Sequence, residues 1–390
     1  MNKSGFVSKV VQGIPPSGIR KFFDLTATMA DVISLGVGEP DFVTPWHIRD
    51  SAIYSLTQGY TSYTSNAGLM ELRQGISEQL STDYGLKYSP QDEILITVGV
   101  SEGLDLALRA IINPGDEVII PEPCYVSYKP CTIFAGGKPV VIPTNADTNF
   151  KITPKQVEEA ITDRTKALLL SYPSNPTGAT MSKEELMGIA EVVAKYDLLV
   201  VADEIYTRLT YDMPPVSFAS LEGMKERTIL LNGFSKAYAM TGWRIGYAAG
   251  PKEIIAAMTK IHQYTMLCAS IISQRAALEA LRHGKEQVEQ MFNEYNQRRR
   301  VIVKGLNELG LDCRMPGGAF YVFPSIKTTG LTSEEFAEKL LFEEKVAVVP
   351  GTAFGNCGEG YIRCSYATSL EKIEEALERM GRFVGRLQIL

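Results

Sequence analysis

The sequence predicts an α/β protein in which one large, mainly parallel seven-stranded sheet is covered by helices and followed by a smaller α+β unit. Three observations carry this reading. Short apolar runs alternate with longer helical patterns from about residue 90 to residue 250, the pattern changes after residue 280 to long charged helices with brief strands, and the 45% hydrophobic, 22% charged composition suits a buried core. Alternating strands and helices bury each strand on both faces, the condition that favours a parallel sheet.

The runs are Ile94–Val98, Val118–Pro121, Pro139–Ile142, Ala167–Ser171, Leu198–Ala202, Thr228–Leu231 and Ile245–Ala249. They are short and β-rich, as strands of a covered sheet are. Between them, stretches such as Ser101–Ile112 and Ser182–Tyr196 carry apolar residues at three-to-four spacing and open on a serine placed to cap a helix. Ser182 and Glu185 also have capping-box spacing. Later helices are expected over Gly284–Leu309, Ser333–Glu344 and Leu370–Leu387, with strands around Ala319–Phe323, Val346–Val349 and Tyr361–Ser365. The expected division is an N-terminal arm over 1–45 packed on the small unit, a large domain over 46–280 and a small domain over 281–390.

Charge and composition exclude several classes of function. Thirty-nine basic against forty-five acidic residues give a net charge of −6, with only the short basic run Arg298–Arg300, so no nucleic-acid partner is expected. Apolar stretches such as Leu198–Ala202 fall short of the roughly 18–20 residues of a membrane span. Met1–Pro16 lacks the apolar segment of a secretory signal. A soluble, cytoplasmic protein is expected. Six cysteines without a Cys-x-x-Cys pair and three histidines suggest free, mostly buried thiols and no metal site.

In open α/β sheets ligands bind beyond the carboxyl ends of strands, so the residues after each run are where chemistry belongs. There stand Gly99-Val100-Ser101-Glu-Gly103, Tyr172-Pro-Ser-Asn175-Pro-Thr-Gly178, Asp203-Glu-Ile-Tyr206 and Asn232-Gly-Phe-Ser235-Lys236. Asn175, Asp203 and Lys236 are 28 and 33 residues apart, one strand–helix step each, which brings an amide, an acid and an amine to one sheet edge. Singly, each has a plain structural reading: a solvated lysine, an aspartate opening a turn, an Asn-Pro turn, a packing tyrosine. The glycine-rich segment before a helix could cradle a phosphate but is weak evidence alone.

Together these residues form longer motifs. Gly233-Phe-Ser235-Lys236-Ala-Tyr-Ala-Met-Thr-Gly242-Trp243-Arg244-Ile-Gly246 resembles the pyridoxal-phosphate (PLP) attachment signature of class I/II, fold type I aminotransferases. Gly36-Val-Gly38-Glu-Pro40-Asp41-Phe42, Ser174-Asn175-Pro176-Thr177-Gly178, Asp203-Glu204-Ile205-Tyr206, Pro316-Gly-Gly-Ala-Phe320-Tyr321 and Tyr361-Ile-Arg363 match further motifs of that family in its order, so the resemblance covers essentially the whole chain. It is nearest the aspartate/aromatic-type bacterial subgroup that includes N-acetyl-diaminopimelate aminotransferase.

The resemblance implies a PLP-dependent enzyme passing an amino group from an L-amino acid to a 2-oxo acid in two half-reactions. Lys236 would form an imine with the cofactor and then shuttle a proton. A free lysine, with pKa near 10.4, is neutral in only about 0.04% of molecules at pH 7, so such an amine must be tuned. Asp203 corresponds to the carboxylate that keeps the pyridine nitrogen protonated, Tyr206 and Asn175 to donors to the ring's phenolic oxygen, and Tyr125 to the aromatic stacked on the ring. Arg244, the backbone of Val100 and Ser101, and Ser235 correspond to the phosphate site, and Gly233 stands where the family often has serine. Tyr63 corresponds to a tyrosine that reaches the neighbouring subunit's phosphate, which implies a homodimer. Arg363 corresponds to the clamp on the substrate α-carboxylate, assisted by Asn175 and the Gly38 backbone. A carbon–sulfur β-lyase on the same scaffold is the alternative. Aspartate, aromatic and N-acyl-diamino donors all stay open, since no cation stands near Ser101; Arg20 could meet a side-chain carboxylate or pack the N-terminal arm.

Overall fold

The computed structural model describes residues 3–16, 18, 19 and 29–387. After a short strand β1 (Ile33–Ser34), all seven predicted runs form strands of one sheet: β2 (Ile94–Thr97), β3 (Glu117–Glu122), β4 (Lys138–Pro143), β5 (Thr165–Leu170), β6 (Leu199–Asp203), β7 (Thr228–Gly233) and β8 (Gly246–Ala249). Their order is β2-β8-β7-β6-β5-β3-β4. From β7 to β4 every pair is parallel, while β8 runs antiparallel to both its neighbours. The reason is the connection. Residues 234–245 contain no α-helix, only the 3₁₀ turn Thr241–Trp243, and a parallel return needs a crossover that this segment does not supply. The same segment carries Lys236 and Arg244, so the reversal brings both to one end of the sheet.

One face of the sheet packs Leu95, Ile120, Leu231 and Met258, and the other packs Leu168, Leu170, Val200 and Ile189. Ser182 closes the predicted capping box: its Oγ accepts from Glu185 N at 3.3 Å and Ser182 N donates to Glu185 Oε2 at 2.7 Å. The first predicted cap is corrected. The helix runs Gly99–Ile111, so Ser101 lies inside its first turn, and Val98 N donates to Glu102 Oε2 at 2.5 Å. Gly99, at φ +75°, makes that earlier start sterically open.

Beyond the sheet, helices Lys285–Glu308, Ser333–Glu344 and Leu370–Leu387 pack with β9 (Tyr321–Val322), β10 (Val346–Ala347), β11 (Val349–Pro350) and β12 (Ile362–Ser365). The single strand expected over Val346–Val349 is two strands. Val346–Ala347 pairs in parallel with Ile33–Ser34, while Val349–Pro350 joins the antiparallel sheet β11-β12-β9, so neighbouring backbone groups serve different partners. Ile33 and Leu35 are buried in the same cluster as Ile302, Phe336, Leu340 and Phe383. No described helix is long and apolar enough to cross a membrane, and no group of metal-ligating residues occurs among the described residues. All six thiols are free; Cys124, Cys313 and Cys364 are buried and the other three are partly exposed.

Candidate active site

The carboxyl ends of the parallel strands face β12 and the segment around Gly38 across a cavity of about 560 Å³. Gly38, Val100, Ser101, Tyr125, Asn175, Asp203, Tyr206, Ser235, Lys236, Arg244 and Arg363 all border it. Tyr63 does not; its side chain is 82% exposed on the outer surface. Arg20 lies outside the described residues.

Lys236 follows β7, and its Nζ donates to the Gly38 carbonyl at 2.6 Å while lying 5.8 Å from the centre of the Tyr206 ring. Burial pushes this amine down from the usual 10.5 to about 8, with Glu39 pulling upward and Arg363 and Arg244 adding to the depression. Asp203, at the end of β6, is buried and accepts from Tyr128 Oη at 2.8 Å and from the Ile205 N–H at 3.3 Å. Burial raises its pKa, and Tyr128, that N–H and the Lys236 charge oppose the rise.

Arg244 occupies a left-handed backbone position, φ 50°, and donates to Thr241 O at 3.0 Å. Its Nη2 lies only 2.7 Å from where a Cβ on Gly99 would stand, so glycine at 99 lets the guanidinium approach the N-terminus of the helix. Gly233, which replaces the family's frequent serine, pairs with Gly246 across β7 and β8; a Cβ there would meet Gly246 Cα at 2.9 Å. The close crossing of the two strands leaves no room for a side chain.

Arg363, on β12, is 1% exposed. Its Nη1 donates to Asn175 Oδ1 at 2.8 Å and its Nη2 to Gly36 O at 2.6 Å, both neutral acceptors, and its Nε has no partner among the described residues. Its guanidinium lies over the Tyr321 and Phe354 rings at 4.4 and 4.8 Å. Two carbonyls of one short segment serve the two cations: Gly36 O accepts from Arg363 and Gly38 O from Lys236.

Several residues at the site were given no role from sequence. Tyr128 stands three residues after Tyr125, and Tyr321 closes the Pro316–Tyr321 motif; both could have been singled out as aromatics in segments already marked. Glu39 accepts from Thr241 Oγ1 at 2.6 Å and borders the cavity. Behind the helix Gly99–Ile111, His262, fully buried, places Nδ1 2.6 Å from Glu102 Oε1.

The donor set suits a phosphorylated pyridine aldehyde. A low-pKa amine can form an imine, a buried carboxylate can face a ring nitrogen, and a helix N-terminus beside an arginine can hold a phosphate. The fold and this site define a fold type I PLP enzyme acting on amino acids. The chain belongs to the aminotransferase class I and II family, whose profile matches residues 30–380. It is 60% identical over 381 residues, 98% of this chain and 99% of the other, to "Putative aminotransferase YugH" of Bacillus subtilis (strain 168). It is 49% identical to an aspartate aminotransferase of Pyrococcus abyssi, covering 95% of this chain and 96% of the other. The crystal structure of an aromatic aminotransferase from Pyrococcus horikoshii OT3 superposes with a TM-score of 0.91 at 46% identity, covering 95% of this chain and all of that one. These names carry amino transfer, and none carries carbon–sulfur cleavage. The protein is a PLP-dependent aminotransferase whose substrates are amino acids and 2-oxo acids.

Proposed function

We propose that the cavity residues divide the transamination among them as follows. Arg244, the backbone of Val100 and Ser101, and Ser235 would hold the PLP phosphate, Asp203 would pair with the pyridine nitrogen, Tyr206 and Asn175 would donate to the phenolic oxygen, and Tyr125 would pack on the ring. When bound, PLP supplies an aldehyde for the substrate amine and an electron sink for the α-carbon. Arg363 fixes the α-carboxylate with its planar fork, with Asn175 and Gly38 beside it, and so orients the α-proton. Lys236 Nζ removes that proton, holds it, and returns it as acid; an amine brought near pH 8 by burial serves in both directions at neutral pH.

The observation that carries this reading is Arg363, a fully buried guanidinium whose hydrogen bonds to the described residues go only to neutral acceptors while it borders the cavity. A charge buried in this way is stable in the presence of an anion, and the substrate carboxylate is that anion. Tyr63 acts at the site of a second copy: its exposure at 82% suits a side chain that a partner covers, and the working unit is a homodimer in the cytoplasm. The chain divides functionally into an arm over 1–45, a cofactor domain over 46–280 and a small domain over 281–390.

The test is a half-reaction screen. Single amino acids are added to the PLP enzyme and the change in its visible absorption is followed. Wild type converts with its true donors; Lys236→Ala binds cofactor but does not convert. Conversion by Lys236→Ala at the wild-type rate would refute the assignment.

A further inference from the structure

Tyr321 stands at the meeting point of the site's three parts. It is 1% exposed, and its hydroxyl lies 2.7 Å from the Tyr206 hydroxyl. Its ring lies under the Arg363 guanidinium at 4.4 Å. From the third side Gly38 leans on it: a Cβ at residue 38 would collide with the Tyr321 hydroxyl and lie 3.4 Å from Cζ. The same Gly38 presents its carbonyl to Lys236. Two buried hydroxyls sharing one hydrogen bond must choose which donates, since each has a single proton.

We propose that Tyr321 is a positioning residue which donates its proton to Tyr206 Oη, so that the Tyr206 proton is directed into the cavity toward the cofactor's phenolic oxygen. The environment sets this polarity. A guanidinium over the Tyr321 ring withdraws electron density and strengthens its hydroxyl as a donor. Among the described residues the cation over the Tyr206 ring is Lys236, farther off at 5.8 Å. Arg363 draws both tyrosine pKa values downward against the rise that burial produces, as the foremost opposing effect at Tyr321 and behind the upward pull of Tyr321 itself at Tyr206. The substrate-carboxylate arginine is thereby linked, through one aromatic ring and one hydrogen bond, to the donor at the other end of the cavity.

The inference rests on the role of Tyr206 given above, and the experiment separates the two. The pH midpoint of the bound cofactor's visible absorption change is measured in wild type, Tyr206→Phe, Tyr321→Phe and the double variant. A donor to an anionic oxygen favours the anion, so its loss raises the midpoint. Tyr321→Phe keeps the ring under Arg363 and removes only the hydroxyl. It is expected to raise the midpoint by about 0.1–0.3 unit, since Tyr206 keeps its own hydrogen bond to the oxygen and loses only the polarisation that a donor behind it supplies, with KM for amino acids little changed. In the Tyr206→Phe background the same change is expected to do nothing. An unmoved midpoint in Tyr206→Phe overturns the Tyr206 role and this inference with it. A moved midpoint in Tyr206→Phe with none in Tyr321→Phe, or a Tyr321→Phe shift that persists without the Tyr206 hydroxyl, overturns the inference alone.

Discussion

Replacing Arg363 by lysine keeps the positive charge and removes the fork. In the wild-type chain two of the five guanidinium N–H groups are committed to Asn175 Oδ1 and Gly36 O, leaving the remaining ones for a carboxylate. A lysine ammonium has three N–H groups; if it keeps the two internal contacts it can offer one to the substrate, and it cannot stack flat between Tyr321 and Phe354. The loss is therefore at least one charge-assisted hydrogen bond, about 1.5–3 kcal/mol. That corresponds to roughly a 10- to 150-fold fall in kcat/KM, appearing mainly in KM. The assay is single-turnover conversion of the PLP enzyme by a dicarboxylic, an aromatic and an aliphatic amino acid. Every amino acid carries the α-carboxylate, so all three are expected to lose by a similar factor. An unchanged Arg363→Lys enzyme, or a loss confined to one side-chain class, refutes the α-carboxylate assignment.

Other perturbations probe the cofactor end and the core behind it. In the cofactor-free enzyme, acetylation of Lys236 followed by mass spectrometry is expected to reach half its limiting rate near pH 8, against 10.5 for an ordinary lysine; a midpoint above 10 rules out the burial effect. Because the folded amine is the weaker base, the unfolded chain binds more protons between those values, and the destabilisation from burying Lys236 shrinks as pH rises through that window. Gly99→Ala, which forces a Cβ at φ +75° against Arg244, is expected to weaken PLP binding at least about tenfold while sparing pyridoxal, which has no phosphate; equal loss of both would show general damage instead. Glu204 is buried and pushed up from 4.5 to about 7, chiefly by desolvation. Its folded form keeps a proton that the unfolded chain releases near pH 4.5, so it costs stability as pH rises from there to above 7, by roughly 2–5 kcal/mol. Denaturant unfolding of Glu204→Gln at pH 5 and pH 8 is expected to show the variant gaining on wild type at the higher pH, and a constant difference would sink the argument.

The sheet was legible because its strands are continuous apolar runs, a local signal that survives without knowledge of neighbours. Its one antiparallel return was not, since the direction of β8 depends on residues 234–245 lacking a crossover helix, and that segment was marked for its chemistry. Asp203, Asn175 and Lys236 could be brought together from spacing, because strand–helix steps have regular length. Their partners could not: Tyr128 meets Asp203 across 75 residues and Tyr321 meets Tyr206 across 115, contacts that depend on packing and leave no periodic trace. The misplaced Ser101 cap has a local cause. A serine before an apolar helix is a strong local cue, but Gly99 and the returning Glu102 carboxylate started the helix earlier.

Gly36 and Gly38 offer their carbonyls to Arg363 and Lys236 from a single short stretch of main chain. A displacement of that stretch by a few tenths of an ångström changes the grip on the arginine and on the lysine at once. Substitutions within residues 36–42 will therefore meet a built-in trade-off, in which any shift that re-aims the Arg363 guanidinium also moves the acceptor of the Lys236 amine.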